Sequence, residues 1–308
     1  MHTTYIDVGQ IDRSRPANRP SKNNWKIELL KKGILALQHV SPRVASELIW
    51  NQFTKPGKPH FTEPQQQLLA KAETNRFSYF GYETVSYKWG NGNKRVLLSH
   101  GWRSKILDFR NMINHLVERG YTVEGIDMKA HGQSGGRHTA LPEFRDILKN
   151  YYVQNGPYDA VVGYSLGGLA TGIMLSELSA DFRPAQLFLI ATPPFTRYFF
   201  EDAIRQVGCK EKVYDEMCHL VEENYHQPID YFDLRTKLDQ LQTMDLHLIY
   251  DENDEMVPME RGAELAAALS ADINFVHTKG LGHYKIISHQ EIVNYVMDHL
   301  VKENGDLT

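Results

Sequence analysis

The sequence has few cysteines and no long apolar run. Only Cys209 and Cys218 occur among 308 residues, and their spacing on a segment with helical periodicity holds them too far apart for a disulfide. Two reduced thiols are therefore expected, as in a reducing compartment. No stretch reaches the ~18 apolar residues of a membrane span, and residues 1–20 lack the apolar core of a secretory signal. These absences predict a soluble cytoplasmic protein without stable membrane insertion.

A strong excess of charge is also missing. Lys and Arg total 34 against 38 for Asp and Glu, which gives a formal net charge of -4. This balance argues against a basic surface for nucleic acid or an anionic bilayer. The content of 42% hydrophobic and 23% charged residues is typical of a globular protein. The length allows one large core with a smaller inserted domain. The protein is expected to be a monomer or a homodimer.

Residues 1–75 are predicted to form an arm followed by helices. Residues 1–23 are polar and contain prolines, which is typical of a flexible or surface-lying arm. From Trp25 to Phe53 apolar residues recur at helical spacing, and Ser41-Pro42 interrupts them as an N-cap and first helical residue would. The two amphipathic helices predicted here pack on their own domain, beside a lid or against another subunit. Binding to a membrane surface is the less favoured alternative.

Strands and helices alternate over residues 76–191 and again over residues 244–308. A pair of antiparallel strands is predicted within Phe77 to Trp89. Further strands are predicted at Arg95 to Ser99, Tyr121 to Ile126, Tyr158 to Val162, Leu187 to Ile190, Leu246 to Tyr250 and Ile273 to Val276. Helices are predicted at Ile106 to Arg119, Glu143 to Gln154, Leu166 to Leu178, Met259 to Leu269 and Ile286 to Val301. This order predicts an α/β fold, with a mostly parallel sheet and helices on both faces.

The alternation stops between residues 192 and 243. This segment is rich in Tyr, Phe and charge, has helical periodicity and contains no strand candidate. An insertion of this kind between two sheet strands predicts a small helical lid over the carboxyl edge of the sheet. The core then consists of residues 76–191 and 244–308.

The motif G-x-S-x-G occurs at a predicted strand-to-helix junction. Its serine is Ser165, between Gly163 and Gly167, directly after the apolar strand YDAVV. This context is that of a nucleophile elbow, in which a strained turn exposes the hydroxyl beside a helix N-terminus. A phosphate-binding turn is the alternative, but no Lys follows the glycines and the spacing fits neither common phosphate motif.

A serine hydroxyl needs a base, and the base needs a group that orients it. Asp254 follows the predicted strand Leu246 to Tyr250, and His283 follows the next strand along the chain. Both therefore belong to loops at the carboxyl edge of the sheet. Asp251 and Glu252 stay open as alternatives for the acid if the loop is shifted.

From Lys94 to Leu300 the sequence resembles the α/β-hydrolase superfamily, in particular its lidded esterase, lipase and serine-peptidase branch. The stretches that carry the resemblance are LLSHGW, GIDMKAHGQSGG, VVGYSLGG, IYDENDEMVP and GLGHY. The resemblance implies Ser165, Asp254 and His283 as a triad in the chain order of that fold. It also implies an oxyanion hole formed by the backbone N–H groups of Trp102 and Leu166, and a loop-shaping role for Asp127 and His131.

The expected reaction is transfer of an acyl group to water through an acyl-enzyme on Ser165. A small-molecule carboxylic ester is the first choice of substrate, and the predicted substrate-binding side chains are Trp102, Tyr164, Phe195 and Phe199. No cofactor and no metal are implied. A serine peptidase, a thioesterase and a C–C bond hydrolase share this triad, and a ligand-binding relative without turnover is the alternative from another class.

Overall fold

The computed structural model describes residues 1–9, 24–57, 60–268 and 272–300. Within these residues a nine-stranded sheet forms the centre of the molecule, in the order β1-β9-β8-β7-β6-β4-β5-β3-β2. The strands are β1 His2–Asp7, β2 Glu73–Tyr79, β3 Tyr82–Trp89, β4 Arg95–Ser99, β5 Thr122–Asp127, β6 Ala160–Tyr164, β7 Gln186–Ile190, β8 Asp245–Asp251 and β9 Asn274–Lys279. The seven strands that are adjacent in the order β1-β9-β8-β7-β6-β4-β5 pair in parallel. At the other end of the sheet β3 pairs antiparallel with β5, and β2 pairs antiparallel with β3.

Both faces of the central strands are buried. Leu97 of β4 lies in the core on one face, whereas Val96 and Leu98 lie in the core on the other. Side chains of a strand alternate between its two faces, so a run such as RVLLS needs helices on both sides of the sheet. The predicted α/β class with a mostly parallel sheet is confirmed.

Helices cover these two faces, and three of them lie between β1 and β2 in the chain. The helices are α1 Asn24–Val40, α2 Pro42–Phe53, α3 Glu63–Leu69, α4 Arg110–Glu118, α5 Leu141–Asn155, α6 Leu166–Ser176, α7 Arg197–Val207, α8 Glu211–Tyr225, α9 Met259–Ala267, α10 Gly282–Lys285 and α11 Gln290–His299. The predicted final helix is present as α11, but it starts at Gln290 and not at Ile286. Its N-cap is His289, whose side chain accepts a hydrogen bond from the backbone N–H of Glu291.

The beginning of the chain is a strand and not an arm. His2–Asp7 pairs in parallel with β9 along its whole length, and the ammonium group of Met1 lies 2.8 Å from a carboxylate oxygen of Asp272. Thr3, Thr4, Tyr5 and Ile6 are residues that favour strands, but the strand that pairs with them lies near the opposite end of the sequence. Residues 10–23 of the predicted arm lie outside the described residues.

The two predicted N-terminal helices are confirmed. The Ser41 hydroxyl accepts a hydrogen bond from the Val44 backbone N–H, and Pro42 is the first residue of α2. Proline suits this position because its missing N–H would have no partner in the helix. Helix α2 packs against α8, and α1 contacts α7. The N-terminal helices are therefore packed on residues 192–243.

Residues 192–243 contain α7, α8 and three short 3-10 turns, at Ile229–Phe232, Leu234–Thr236 and Leu238–Leu241. Cys209 and Cys218 are partly buried free thiols. None of the helices in the described part of the chain combines the length and apolarity needed to cross a bilayer.

Candidate active site

Three loops meet at the carboxyl edge of the sheet. Ser165 follows β6 directly, Asp254 lies three residues after β8, and His283 lies four residues after β9. Because β6, β7, β8 and β9 are parallel neighbours, their carboxyl ends face the same edge. The fold therefore brings together three side chains that are far apart in the sequence.

The turn at Ser165 is strained. Ser165 has φ 52° and ψ -127°, in a region that residues with a Cβ rarely occupy. A Cβ at Gly163 would lie 2.6 Å from Cα of Gly168, and one at Gly167 would lie 2.2 Å from the carbonyl oxygen of His100. Only glycine fits either position, so the two glycines of the motif allow the turn that presents the hydroxyl at the edge.

The hydroxyl, imidazole and carboxylate form one chain of hydrogen bonds. His283 Nε2 lies 3.1 Å from Ser165 Oγ, and His283 Nδ1 lies 2.7 Å from Asp254 Oδ2. The other carboxylate oxygen of Asp254 accepts from the backbone N–H groups of Met256 and Val257, both at 2.8 Å. With Nδ1–H donating to Asp254, Nε2 is free to accept the serine proton. Ser165, Asp254 and His283 are 6%, 4% and 8% exposed, so little water competes for these bonds.

Asp251, the alternative acid, has a different set of partners. Its Oδ1 accepts from the backbone N–H groups of Asn253 and Gly282, both at 2.9 Å. Its Oδ2 accepts from the Thr278 hydroxyl at 2.6 Å and from the Leu281 N–H at 3.0 Å. This carboxylate is fully buried and ties the loop after β8 to the loop that carries His283. Glu252 points elsewhere and pairs with His277 and Lys279.

Two buried histidines hold the loop after β4. His131 Nδ1 donates to the carbonyl oxygen of Lys129, and its Nε2 accepts from the Arg103 N–H at 3.0 Å. His100 Nδ1 donates to the carbonyl oxygen of Gly101, and its Nε2 accepts from the Met128 N–H at 3.0 Å. Burial lowers the pKa of His100 to about 4, and burial together with the neighbouring His100 lowers the pKa of His131 to about 3. Both rings are therefore neutral at physiological pH.

The loop held in this way lies against the nucleophile turn. A Cβ at Gly101 would be 2.8 Å from Cβ of Ser165, so the next residue, Trp102, begins beside the hydroxyl. Among the described residues no hydrogen-bond partner accepts from the backbone N–H of Trp102 or of Leu166, the first residue of α6. Two such donors next to a nucleophile can stabilise negative charge that develops on a substrate oxygen.

An apolar cavity of about 350 Å³ opens at Ser165 and His283. Its apolar lining includes Trp50, Phe53, Trp102, Leu166, Phe199 and Phe232. Polar side chains of Gln52, Arg103, Asp202 and Gln206 also contribute to its lining. Mostly apolar walls with a few polar groups are typical of a small-molecule site.

The cavity includes two of the four predicted substrate-binding residues. Trp102 and Phe199 line it, but neither Tyr164 nor Phe195 is among the described residues that do. Tyr164 is buried under the site, where its hydroxyl donates to the carbonyl oxygen of His283 at 2.9 Å. The Phe195 ring contacts two guanidinium groups, with Cζ of Arg235 and Cζ of Arg261 4.3 and 5.6 Å from the ring centroid. A strand-to-helix turn and a helix start direct adjacent side chains to different sides, which is why the structure brings Trp102 and Phe199 to the cavity but not Tyr164 and Phe195.

Sequence reasoning missed Trp50 and Phe53. They are three residues apart on α2 and so share a face of that helix, but their sequence pattern is that of ordinary packing. Only the tertiary position of α2 places them at the cavity. No group of three or more His, Cys, Asp and Glu side chains suited to a metal ion occurs within the described residues.

The parallel sheet, the strained serine turn and the loops that meet there define a protein of the α/β-hydrolase class. The chain belongs to the family described as "Serine hydrolase (FSH1)", whose model matches residues 60–285.

Individual relatives are more distant. The AB hydrolase superfamily protein YisY of Bacillus subtilis (strain 168) is 27% identical over 115 residues, which are 35% of this chain and 41% of that relative. The match thus spans about two fifths of the length of this curated relative. The Pyrococcus furiosus esterase Pf2001 is similar in structure, with a TM-score of 0.59, 19% identity and coverage of 79% of this chain and 97% of its own. Alpha/beta hydrolase domain-containing protein 10 from mouse has a TM-score of 0.55 at 13% identity, with coverage of 74% and 96%. At these identities the solved structures support the fold alone.

Replacement of Asp251 by Asn is expected to destabilise the folded protein. The amide nitrogen of the new side chain would face backbone N–H donors, which leaves buried donors without acceptors at a cost of about 1–3 kcal/mol. Urea denaturation of Asp251→Asn and wild type measures the difference in the free energy of unfolding. The control is Glu252→Gln, in the exposed neighbouring position, for which a change below ~0.5 kcal/mol is expected. Equal stability of Asp251→Asn and wild type would contradict the role assigned to this carboxylate.

Acid sensitivity is expected to depend on His131. An unfolded histidine titrates near ~6.5, whereas the pKa of His131 in the folded protein is lowered to about 3. Between these values the unfolded state binds more protons, so stability is lost as the pH falls below ~6.5.

The comparison is between wild type and His131→Asn, whose side chain can donate and accept but does not titrate. Between about pH 7 and about pH 5 the variant should lose roughly 2 kcal/mol less unfolding free energy than wild type. His219→Asn, at an exposed position on α8, should keep the wild-type profile. Identical pH profiles for His131→Asn and wild type would show that this ring is not buried in its neutral form.

Proposed function

We propose that this serine hydrolase cleaves a carboxylic ester through an acyl-enzyme on Ser165, with His283 as general base and Asp254 as the acid that orients it. The observation that carries the proposal is the chain of hydrogen bonds from Asp254 through His283 to Ser165, at the mouth of an apolar cavity. A hydroxyl alone is a weak nucleophile near neutral pH, and this arrangement supplies both the base and the group that fixes its tautomer.

In the first half of the reaction His283 Nε2 takes the proton of Ser165 Oγ as that oxygen attacks the ester carbonyl carbon. The carbonyl oxygen becomes negatively charged and is stabilised by the backbone N–H groups of Trp102 and Leu166. When the C–O bond to the alcohol breaks, His283 transfers the proton to the leaving alkoxide. Asp254 stabilises the imidazolium between these two transfers.

Water completes the reaction in the same site. His283 accepts a proton from the water as its oxygen attacks the acyl carbon, and then returns a proton to Ser165 Oγ when the bond to the serine breaks. The products are the carboxylic acid and the free enzyme. No other reagent is consumed.

The shape and polarity of the cavity support an ester with an apolar part. Phe199 and Phe232 are among the residues that line the cavity, so an aliphatic or aromatic group gains about 25 cal/mol per Å² of apolar surface that leaves water there. The polar side chains of Arg103 and Asp202 in the lining suit the polar part of the ester. In this proposal residues 192–243 act as a lid, because α7 supplies cavity residues close to Ser165.

The assignment of the nucleophile is tested with Ser165→Ala. Because no other group can form the acyl-enzyme, kcat for p-nitrophenyl butyrate should fall by at least about 10³-fold, and a fluorophosphonate probe should no longer label the protein. Ser176→Ala, at the other end of the same helix, is the control and should keep both activity and labelling. A Ser165→Ala protein with most of the wild-type activity would refute the proposal.

The assignment of the acid is tested with Asp254→Asn. The amide would favour the wrong tautomer of His283, and kcat should fall by about 10⁴-fold with little change in KM. Its exposed neighbour provides the control variant Glu255→Gln, for which wild-type kcat is expected. If Asp254→Asn kept wild-type kcat, another carboxylate would have to orient the base.

A further inference from the structure

The N-terminal helices lie outside the part of the chain that the family model matches. That match covers residues 60–285, whereas α1 begins at Asn24 and α2 ends at Phe53. Yet Trp50, Gln52 and Phe53 line the same cavity as Ser165 and His283. The site thus has a wall that the family region does not contain.

Helix α2 is attached firmly to the helical segment opposite it. The Arg43 guanidinium donates to Glu223 at 2.9 Å and lies 3.6 Å from a carboxylate oxygen of Glu216, both on α8. Ala45 and Ile49 of α2 are buried in the main core. The apolar contacts dominate this attachment, since partly exposed ion pairs contribute little.

The end of α2 is attached to the hydrolase core itself. The carbonyl oxygen of Thr54 accepts from the Thr139 N–H at 2.9 Å, and the Thr54 hydroxyl lies 3.2 Å from His138 Nδ1. Thr139 also lines the cavity. These bonds fix the last turn of α2, and with it Phe53, relative to the nucleophile.

Phe53 stands between the core and α7. Its ring stacks on Trp102 with centroids 6.4 Å apart, and it contacts the ring of Phe200 edge-on at 5.2 Å. Trp50 contacts the same Phe200 edge-on at 5.9 Å. Rings from α2, from the loop after β4 and from α7 therefore form one aromatic cluster. Trp50 and Phe53, which we name the α2 wall, are its contribution from outside the family region.

We propose that the α2 wall sets the size of the apolar group that this site accepts, and so restricts the enzyme to esters whose acyl or alkyl group ends against Phe53 and Trp50. This inference rests on the proposed function for the reaction itself. What it adds is an upper limit on the length of the acyl or alkyl group that the cavity accepts. Aromatic side chains are stiff and fill space that a flexible chain would otherwise occupy. Their removal leaves a void that a longer group can fill.

The expected effect of removing a ring is a shift toward longer substrates. Each additional methylene that finds room is worth about 0.8 kcal/mol, or about a fourfold gain in kcat/KM. A void of several methylenes in Phe53→Ala should therefore raise the ratio of kcat/KM for long over short esters at least about tenfold. Trp50→Ala should shift the ratio in the same direction.

The experiment measures kcat/KM for an acyl series of p-nitrophenyl esters from acetate to dodecanoate, and for a series of alkyl butyrates. Leu48→Ala is the matched control, because Leu48 lies on α2 and packs in the core but is not among the described residues that line the cavity. It should keep the wild-type length profile. If an alanine variant does not fold, Phe53→Leu should give a smaller shift to longer groups and Phe53→Trp a shift to shorter ones.

Binding separates this inference from the proposed function. Calorimetric titration of Ser165→Ala protein with fatty acids from butyrate to dodecanoate, with and without Phe53→Ala, reports the size limit without turnover. If Ser165→Ala/Phe53→Ala prefers a longer fatty acid than Ser165→Ala, the result supports the α2 wall. This holds even if wild type hydrolyses no ester, an outcome that would refute the proposed reaction and leave the α2 wall standing. Conversely, Ser165-dependent hydrolysis with the same length profile in wild type, Phe53→Ala and Trp50→Ala would overturn the α2 wall and leave the reaction standing. Absence of a length shift in both assays would also overturn it.

Discussion

The parallel alignment of β6, β7, β8 and β9 is the constraint on which the rest of the structure depends. Parallel neighbours end at the same edge, so three loops that are distant in the chain converge at one place. A sheet of this kind is stable only when both faces are covered, as the buried strands here require.

Buried polar groups then give the convergent loops their exact positions. The Asp251 carboxylate accepts four hydrogen bonds and joins the loops that carry Asp254 and His283. The neutral rings of His100 and His131 do the same for the loop that begins at Gly101. A buried polar group without partners is costly, so each of these side chains tolerates only a narrow range of loop conformations. Hydrogen bonds to buried polar groups therefore hold the loops around Ser165 in place.

The cavity is assembled from parts with different origins. The sheet edge supplies Ser165 and His283, the segment 192–243 supplies Phe199 and Phe232, and α2 supplies the rings of the α2 wall. Reactive groups and size-selecting groups thus lie on separate elements. The two are joined by the stacking of Phe53 on Trp102 and by the hydrogen bond from the Thr139 N–H to the carbonyl oxygen of Thr54, so the α2 wall has a fixed position relative to the reactive edge.

The sequence by itself determined the alternation of strands and helices, the helical character of residues 192–243, and the turn at Ser165, because periodicity, caps and glycine positions act over a few residues. It also limited the acid to the run from Asp251 to Asp254. Only the tertiary structure decided that Asp254 contacts His283 while Asp251 binds backbone N–H groups, that residues 2–7 extend the sheet beside β9, and that Trp50 and Phe53 face the cavity while Tyr164 and Phe195 do not. Each of these outcomes depends on the direction of a side chain or strand relative to a partner far away in the chain, and local sequence carries no information about that direction.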